Sequence, residues 1–89
     1  MRAIITVLGS DRPGIIAKVS AKLYEHNINI LDISQTILQN YFTMVMLVDL
    51  NGMSASYKEM TDTLNQLAEA VGVEIRMQRS EIFDAMHRA

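Results

Sequence analysis

The 89-residue chain contains no cysteine and no tryptophan, a single proline and only four glycines. Without cysteine it has no disulfide framework and no thiol chemistry. Because 49% of its residues are hydrophobic and proline and glycine are scarce, the composition argues for a compact globule without a disordered tail. The length fits one domain. The lack of cysteine and of a signal peptide favours a cytoplasmic protein.

Long apolar runs and clusters of basic residues are missing as well. The run Ala3–Leu8 is too short for a signal-peptide core with its cleavage site, and far too short for a membrane span. Lysine and arginine are scattered, and the formal net charge is −2. A chain with this charge and no cluster of basic residues lacks the positive patch that binds nucleic acid. We therefore expect neither a membrane partner nor a nucleic-acid partner.

The first half of the sequence contains three strand patterns and one helix pattern. The run Ala3–Leu8 predicts a strand buried on both faces. Apolar spacing over residues 13–26 predicts a helix that begins at Pro13, where the missing N–H has no intrahelical partner to lose. Ile28–Leu38 and Tyr41–Leu50 are separated by a two-residue turn and predict a β-hairpin.

The second half continues with a helix and a strand. Ser56 and Glu59 fit a capping box, in which each side chain covers an orphan N–H of the other residue. The apolar spacing that follows predicts a helix ending at Gly72. Val73–Arg79 alternates between apolar and polar residues, as expected for a strand with one buried face and one solvent-exposed face. Residues 80–89 are expected to form a short C-terminal helix.

The predicted order is therefore β-α-β-β-α-β with a small final helix. Two right-handed βαβ units joined by a hairpin give an α+β, ferredoxin-like sandwich: a four-stranded antiparallel sheet with two helices on one face. The hairpin is apolar on both sides, with Val45 and Leu47 on the side away from its other apolar residues. Monomers seldom expose a large apolar patch, so we expect a partner subunit or the final helix to cover part of this face.

The turn of residues 9–14, Gly-Ser-Asp-Arg-Pro-Gly, carries the functional prediction. Pro13 and Gly14 put little side-chain bulk over the first turn of the helix, so a ligand can come close to its free N–H groups. The helix dipole adds a partial positive charge there, which favours a carboxylate. Asp11 offers the opposite charge for an ammonium group. Carboxylate and ammonium are the two ends of a free amino acid.

These residues also have interpretations without a ligand. Asp11 equally suits a charge placed beside a helix N-terminus, and Gly14 suits close packing of the helix against the strand. Asn29 either points its amide into a site or bonds a backbone group at a strand edge. Of the two asparagines that flank Ile28, Asn27 is the one expected to end the helix in the left-handed conformation.

With this turn between a strand and a helix, and Asn27-Ile28-Asn29-Ile30 ahead of the hairpin, the chain resembles the ACT domain. This is the regulatory amino-acid-binding module of many metabolic enzymes. The similarity is strongest to small stand-alone bacterial ACT proteins, and it divides the chain into an ACT-like domain of residues 1–79 and an extension of residues 80–89.

The resemblance implies a homodimer with an effector site between the subunits. The family's ligand-contacting positions match here as Gly9, Ser10, Asp11, Pro13, Gly14, Ile15 and Asn29. Members that bind amino acids often carry an amide or an imidazole where this chain has Gly9 and Asp11.

We predict a regulatory module that binds an amino acid or a related small effector as a homodimer and signals to a partner protein. The alternative is a ligand-free assembly dimer that docks on another enzyme or regulator. An acylphosphatase-like enzyme on the same topology needs an arginine in a glycine-rich phosphate cradle. Arg12 lies in the corresponding turn, but only Gly9 and Gly14 flank it, so no catalysis and no catalytic residue are expected.

No cofactor and no metal are expected either. His26 stands alone at a helix end, and Asp84 with His87 gives two ligands where a metal site needs three or four. The seven methionines are expected to fill irregular space in the core. RNA binding on the sheet face requires basic residues around exposed aromatic side chains, and none accompany Tyr41 and Phe42.

Overall fold

A computed structural model describes residues 1–10 and 14–80, without the side chain of Leu38. Six elements follow one another in the predicted order: β1 (Arg2–Ser10), α1 (Ile15–Glu25), β2 (Asn29–Leu38), β3 (Tyr41–Asp49), α2 (Tyr57–Val71) and β4 (Val73–Arg79). The C-terminal helix is expected over residues 80–89, and all of these residues except Ser80 lie outside the described residues.

The strands form one antiparallel sheet in the order β2-β3-β1-β4. The two helices pack on one face of this sheet, because both right-handed crossovers leave the sheet on the same side. The expected ferredoxin-like sandwich is confirmed. Strands β2 and β4 are the two edges of the sheet.

The core lies between the helix-bearing face of the sheet and the inner sides of the helices. Alternate residues of β1 and β3 are buried, as the two-residue period of a strand requires. The core residues are Ala3, Ile5, Val7, Ile15, Val19, Leu23, Ile28, Phe42, Met44, Met46, Val48, Leu50, Met60, Leu64, Ala68, Val71 and Ile75. Met44, Met46 and Met60 are fully buried, so their predicted packing role is confirmed.

Helix α1 begins two residues later than the sequence predicts. Its first residue is Ile15, and its N-cap is Gly14, whose φ of 85° lies in the left-handed region. The expected start at Pro13 is therefore wrong, and Gly14 is not in ordinary helical conformation. Glycine adopts a positive φ without the steric cost of a Cβ, so the chain can turn sharply into the helix at this position.

The end of α1 is a complete Schellman motif. Asn27 has a φ of 58°, which confirms its predicted left-handed conformation. Its N–H donates to the carbonyl of Tyr24 at 3.1 Å, and the N–H of Ile28 donates to the carbonyl of Leu23 at 3.0 Å. Leu23 and Ile28 occupy the two positions whose apolar contact usually accompanies this motif, and both are buried. Strand β2 therefore starts at Asn29, one residue later than expected.

Both predicted ends of α2 are confirmed. The N–H of Glu59 donates to Ser56 Oγ at 3.1 Å, and the N–H of Ser56 donates to Glu59 Oε1 at 3.3 Å. These two bonds form the capping box. At the other end, Gly72 has a φ of 82° and its N–H donates to the carbonyl of Ala68.

Candidate functional site

The predicted site residues that are described fall into two groups. Gly9 and Ser10 are the last residues of β1, Gly14 is the N-cap of α1, and Ile15 is its first, buried residue. These four residues belong to one strand-to-helix connection. Asp11 and Pro13 lie outside the described residues. Asn29 forms the second group.

Asn29 lies at the opposite end of the sheet from the turn. It pairs with Asp49 of β3, which pairs with Arg2 at the beginning of β1. Ser10, at the end of β1, pairs instead with Tyr41. Eight residue steps along a strand correspond to about 26 Å. A single chain therefore does not bring Asn29 to the other predicted site residues.

Gly9 allows β1 and β4 to approach each other closely. A Cβ built on Gly9 would lie 2.7 Å from Val73 Cγ1 and 3.2 Å from the backbone Cα of Val73. Neither distance is a tolerable contact for a branched side chain or for backbone. The absence of a side chain at Gly9 is thus explained by packing at the end of the sheet.

Gly14 is glycine for a different reason. A Cβ built there has no neighbour within 4 Å among the described residues, so none of them explains this glycine by close packing. Its left-handed φ is what favours glycine. Among the described residues, none crowds the position of a Gly14 side chain at the start of α1.

The N-terminus of α1 has no side-chain cap among the described residues. No acidic residue lies in the first turn of this helix, and the carbonyl of Gly14 accepts the N–H of Lys18 at 3.0 Å, within the helical ladder. The first N–H groups of a helix have no intrahelical acceptor and carry a partial positive charge. This end of α1 is therefore suited to bind a carboxylate.

A shallow cavity of about 470 Å³ lies at the end of β1, beside the turn; we call it the Ser10 cavity. It is lined by Leu8, Gly9, Ser10, Tyr41, Gly72, Val73 and Glu74. Its volume falls in the range of small-molecule sites. Tyr41 is 61% exposed and Leu8 is 44% exposed, so two large apolar groups face solvent in a cavity that also carries a carboxylate.

Sequence reasoning found only Gly9 and Ser10 of the residues that line this cavity. It missed Tyr41, Gly72 and Glu74, which come from β3, the end of α2 and β4. No local pattern singles out these residues, because only the pairing of distant strands brings them beside Ser10. Glu74 lies opposite Leu8 across the β1–β4 ladder.

The edge strand β2 is exposed along most of its length. Its apolar residues Leu31, Ile33 and Ile37 are 41%, 40% and 57% exposed. On the sheet face away from the helices, Val45 of β3 is also exposed, at 36%. The hairpin is therefore apolar on both faces, as the sequence predicted, and parts of both faces are uncovered in a single chain.

The part of the chain that the structure describes carries neither a cluster of metal ligands nor a membrane-spanning helix. No group of three or more histidine, aspartate or glutamate side chains there is arranged to hold a metal ion. None of the helices in residues 1–10 and 14–80 is long and apolar enough to cross a membrane.

Comparison with known proteins identifies the family. The model of the ACT domain matches residues 2–78. The chain belongs to the ACT domain family. It is also 48% identical over 87 residues to a UPF0237 protein of Methanopyrus kandleri, covering 98% of this chain and 97% of that protein.

Solved structures agree with this assignment. An ACT domain protein from Streptococcus pneumoniae superposes with a TM-score of 0.83 at 40% identity, covering 98% of both chains. The regulatory subunit of aspartate kinase from Thermus thermophilus superposes with a TM-score of 0.68 at 27% identity, covering 86% of this chain and 50% of that one. The ACT fold of this chain thus occurs both as a small protein and within a regulatory subunit.

Proposed function

We propose that this ACT domain is a regulatory module, not an enzyme, and that it binds an amino acid or a related small effector at the turn of residues 9–15. The observation that carries the proposal is the start of α1. Among the described residues, nothing lies within 4 Å of a Cβ built on Gly14, and no side chain caps the first turn. A ligand carboxylate is the group that such a helix end stabilises.

The proposed module is a homodimer that pairs through β2. An exposed edge strand is normally protected by charged side chains. Strand β4 carries Glu74, Arg76 and Arg79, whereas β2 carries a single charge, Asp32, among ten residues. The exposed isoleucines of β2 would be covered by a second β2 strand. Of the two edges, β2 is therefore the one suited to pair with another copy.

This pairing gives Asn29 a place in the site. A two-fold axis through the middle of β2 runs the two β2 strands antiparallel, so Asn29 of one subunit lies near the Leu38 end of the other strand. Leu38 pairs with Tyr41, and Tyr41 pairs with Ser10. Asn29 would thus reach the same end of the sheet as the turn of the partner subunit, and the effector site would lie between the subunits.

The output of the module requires a second protein. The relative from Thermus thermophilus is the regulatory subunit of a kinase, which supports a regulatory role for this fold. We propose that this chain passes its ligand state to a partner protein in the cytoplasm by contact between the dimer and that partner.

A thermal-shift screen of the common amino acids tests ligand binding. An effector present at a hundred times its Kd is expected to raise the free energy of unfolding by about 2.7 kcal/mol. If no amino acid shifts the melting temperature while the dimer persists, the ligand-free assembly dimer becomes the better explanation.

Sedimentation at micromolar concentration tests the dimer. We expect twice the chain mass of 10.0 kDa. Ile33→Lys places like charges near the proposed two-fold axis and is expected to give monomers. Its matched control is Lys58→Ala, which changes an exposed residue of α2 and is expected to leave the dimer intact. A monomeric wild-type chain would contradict the proposed pairing.

A further inference from the structure

We propose that the Ser10 cavity binds an ammonium group of the effector and that Glu74 is its counter-ion. The inference rests on the proposed function, because it assigns one end of the effector to a cavity at the end of β1, whose residues Gly9 and Ser10 belong to the same strand-to-helix connection as the proposed carboxylate site. It adds Glu74 and Tyr41, which no sequence pattern marks, to the residues that recognise the ligand.

The register of the sheet places the relevant side chains on one face. Leu8 pairs with Glu74, and Ser10 pairs with Tyr41. Leu8 and Ser10 are two residues apart on β1 and therefore point to the same side of the sheet. Directly paired residues share that side, so the Glu74 carboxylate, the Tyr41 ring and the Ser10 hydroxyl surround a common space at the end of β1.

The electrostatics of this space favour a cation. Glu74 is the one charged residue among the described residues that line the cavity. Helix α2 ends at Val71 beside Gly72 of the lining, and the C-terminal end of a helix carries a partial negative charge. The face of an exposed tyrosine ring attracts an ammonium group as well.

Glu74 is available for a ligand. Among the described residues it forms no ion pair; the ion pairs found there join Lys22 to Glu25 and Lys58 to Asp62. The nearest basic residue along β4, Arg76, lines two neighbouring cavities between α2 and β4, one of which Glu74 also lines, but Arg76 does not line the Ser10 cavity. The ion pairs found among the described residues do not join Arg76 to Glu74.

The two ends of an amino acid then have separate partners on either side of the turn. The start of α1 is suited to the carboxylate, and the Ser10 cavity is suited to an ammonium group. That ammonium group is either the α-amino group of any amino acid or the side-chain amino group of a basic one. Both sources share the same chemistry, and four ligands distinguish them.

The four probes are L-lysine, L-norleucine, 6-aminohexanoate and hexanoate, measured by isothermal titration calorimetry on the full chain. They carry both ammonium groups, the α-ammonium alone, the distal ammonium alone and none. We expect the binding probes to lose about ten-fold or more in affinity with Glu74→Gln, the effect of losing a charged hydrogen bond. Glu69→Gln is the matched control, because Glu69 is an exposed carboxylate that does not line the cavity.

Each pattern of binding has a definite meaning. Binding of lysine and norleucine alone, sensitive to Glu74→Gln, places the α-ammonium in the cavity. Binding of lysine and 6-aminohexanoate alone, with the same sensitivity, places a side-chain ammonium there. Either result supports the proposal.

Three results would overturn it. One is hexanoate binding as tightly as the amines, and another is an affinity for the amines that is unchanged in Glu74→Gln. If Asp11→Asn weakens binding of the amines and Glu74→Gln does not, the ammonium is held by the turn, and the proposed regulatory function stands without this subsite. If none of the four probes binds, the subsite assignment is wrong, while the wider amino-acid screen decides the proposed function separately.

Discussion

The two strand-to-helix connections of this domain differ in how the polar groups at the start of the following helix find hydrogen-bond partners. The connection from β3 to α2 satisfies its polar groups internally. Asn51 N–H donates to Asp49 Oδ1 at 2.9 Å, Met53 N–H donates to the carbonyl of Leu50 at 3.0 Å, and a capping box closes the start of α2. In the connection from β1 to α1, the described residues provide no side-chain cap, and Gly14 stands at the helix start.

The difference favours the connection from β1 to α1 as the proposed ligand site. Buried or partly buried backbone groups need hydrogen-bond partners. Ser56 and Glu59 supply those partners from within the chain, so a ligand has nothing to add at α2. At α1 the corresponding positions hold Gly14 and Ala17, which have no polar side chain. A ligand carboxylate can take the place of the missing cap there.

The largest effect is expected for Gly9→Ala, which breaks the packing beneath the first connection. The new Cβ would lie 2.7 Å from Val73 Cγ1, so β1 and β4 must separate. Overpacking of this kind costs about 1–3 kcal/mol, measured by urea unfolding. Gly52→Ala is the matched control, because its new Cβ has one neighbour at an ordinary distance of 3.5 Å, the carbonyl oxygen of Asn27. Equal stability of the two variants would show that Gly9 is not a packing residue.

Gly14→Ala is expected to have the next largest effect. No atom of the described residues lies within 4 Å of the new Cβ, so the expected cost comes from the left-handed backbone and amounts to about 1–2 kcal/mol. Gly14→Asn should be milder, since asparagine tolerates this conformation better than alanine. Urea melts of both variants give the comparison. A stabilised Gly14→Ala variant would mean that Gly14 has ordinary helical dihedral angles in solution.

Ser56→Ala should have the smallest effect on stability and none on binding. Loss of an N-cap hydroxyl costs about 1 kcal/mol, and Ser56→Thr keeps an oxygen that can accept the same hydrogen bond. Titrations with an amino-acid effector should give the wild-type affinity for both variants. A loss of affinity in Ser56→Ala would remove the contrast between the two connections on which the proposed site depends.

The hydrogen-bonded ends of the elements were the most predictable part of the fold. The capping box at Ser56, the left-handed Asn27 and the end of α2 at Gly72 each depend on residues within one or two helical turns, so sequence is sufficient. The start of α1 was predicted wrongly because proline and glycine both suit the first turn of a helix. The left-handed φ of Gly14 shows that the glycine precedes the helix.

The sequence by itself determined the six elements, their order and the turn that carries the family resemblance, because hydrophobic periodicity and capping act between neighbouring residues. The tertiary structure decided what these residues face. It placed Val73 against Gly9 and put none of the described residues within 4 Å of a Cβ on Gly14. It also brought Tyr41 and Glu74 beside Ser10 and set Asn29 at the far end of the sheet. Those positions follow from pairing between strands distant in sequence, which is fixed by burying one face of the whole sheet.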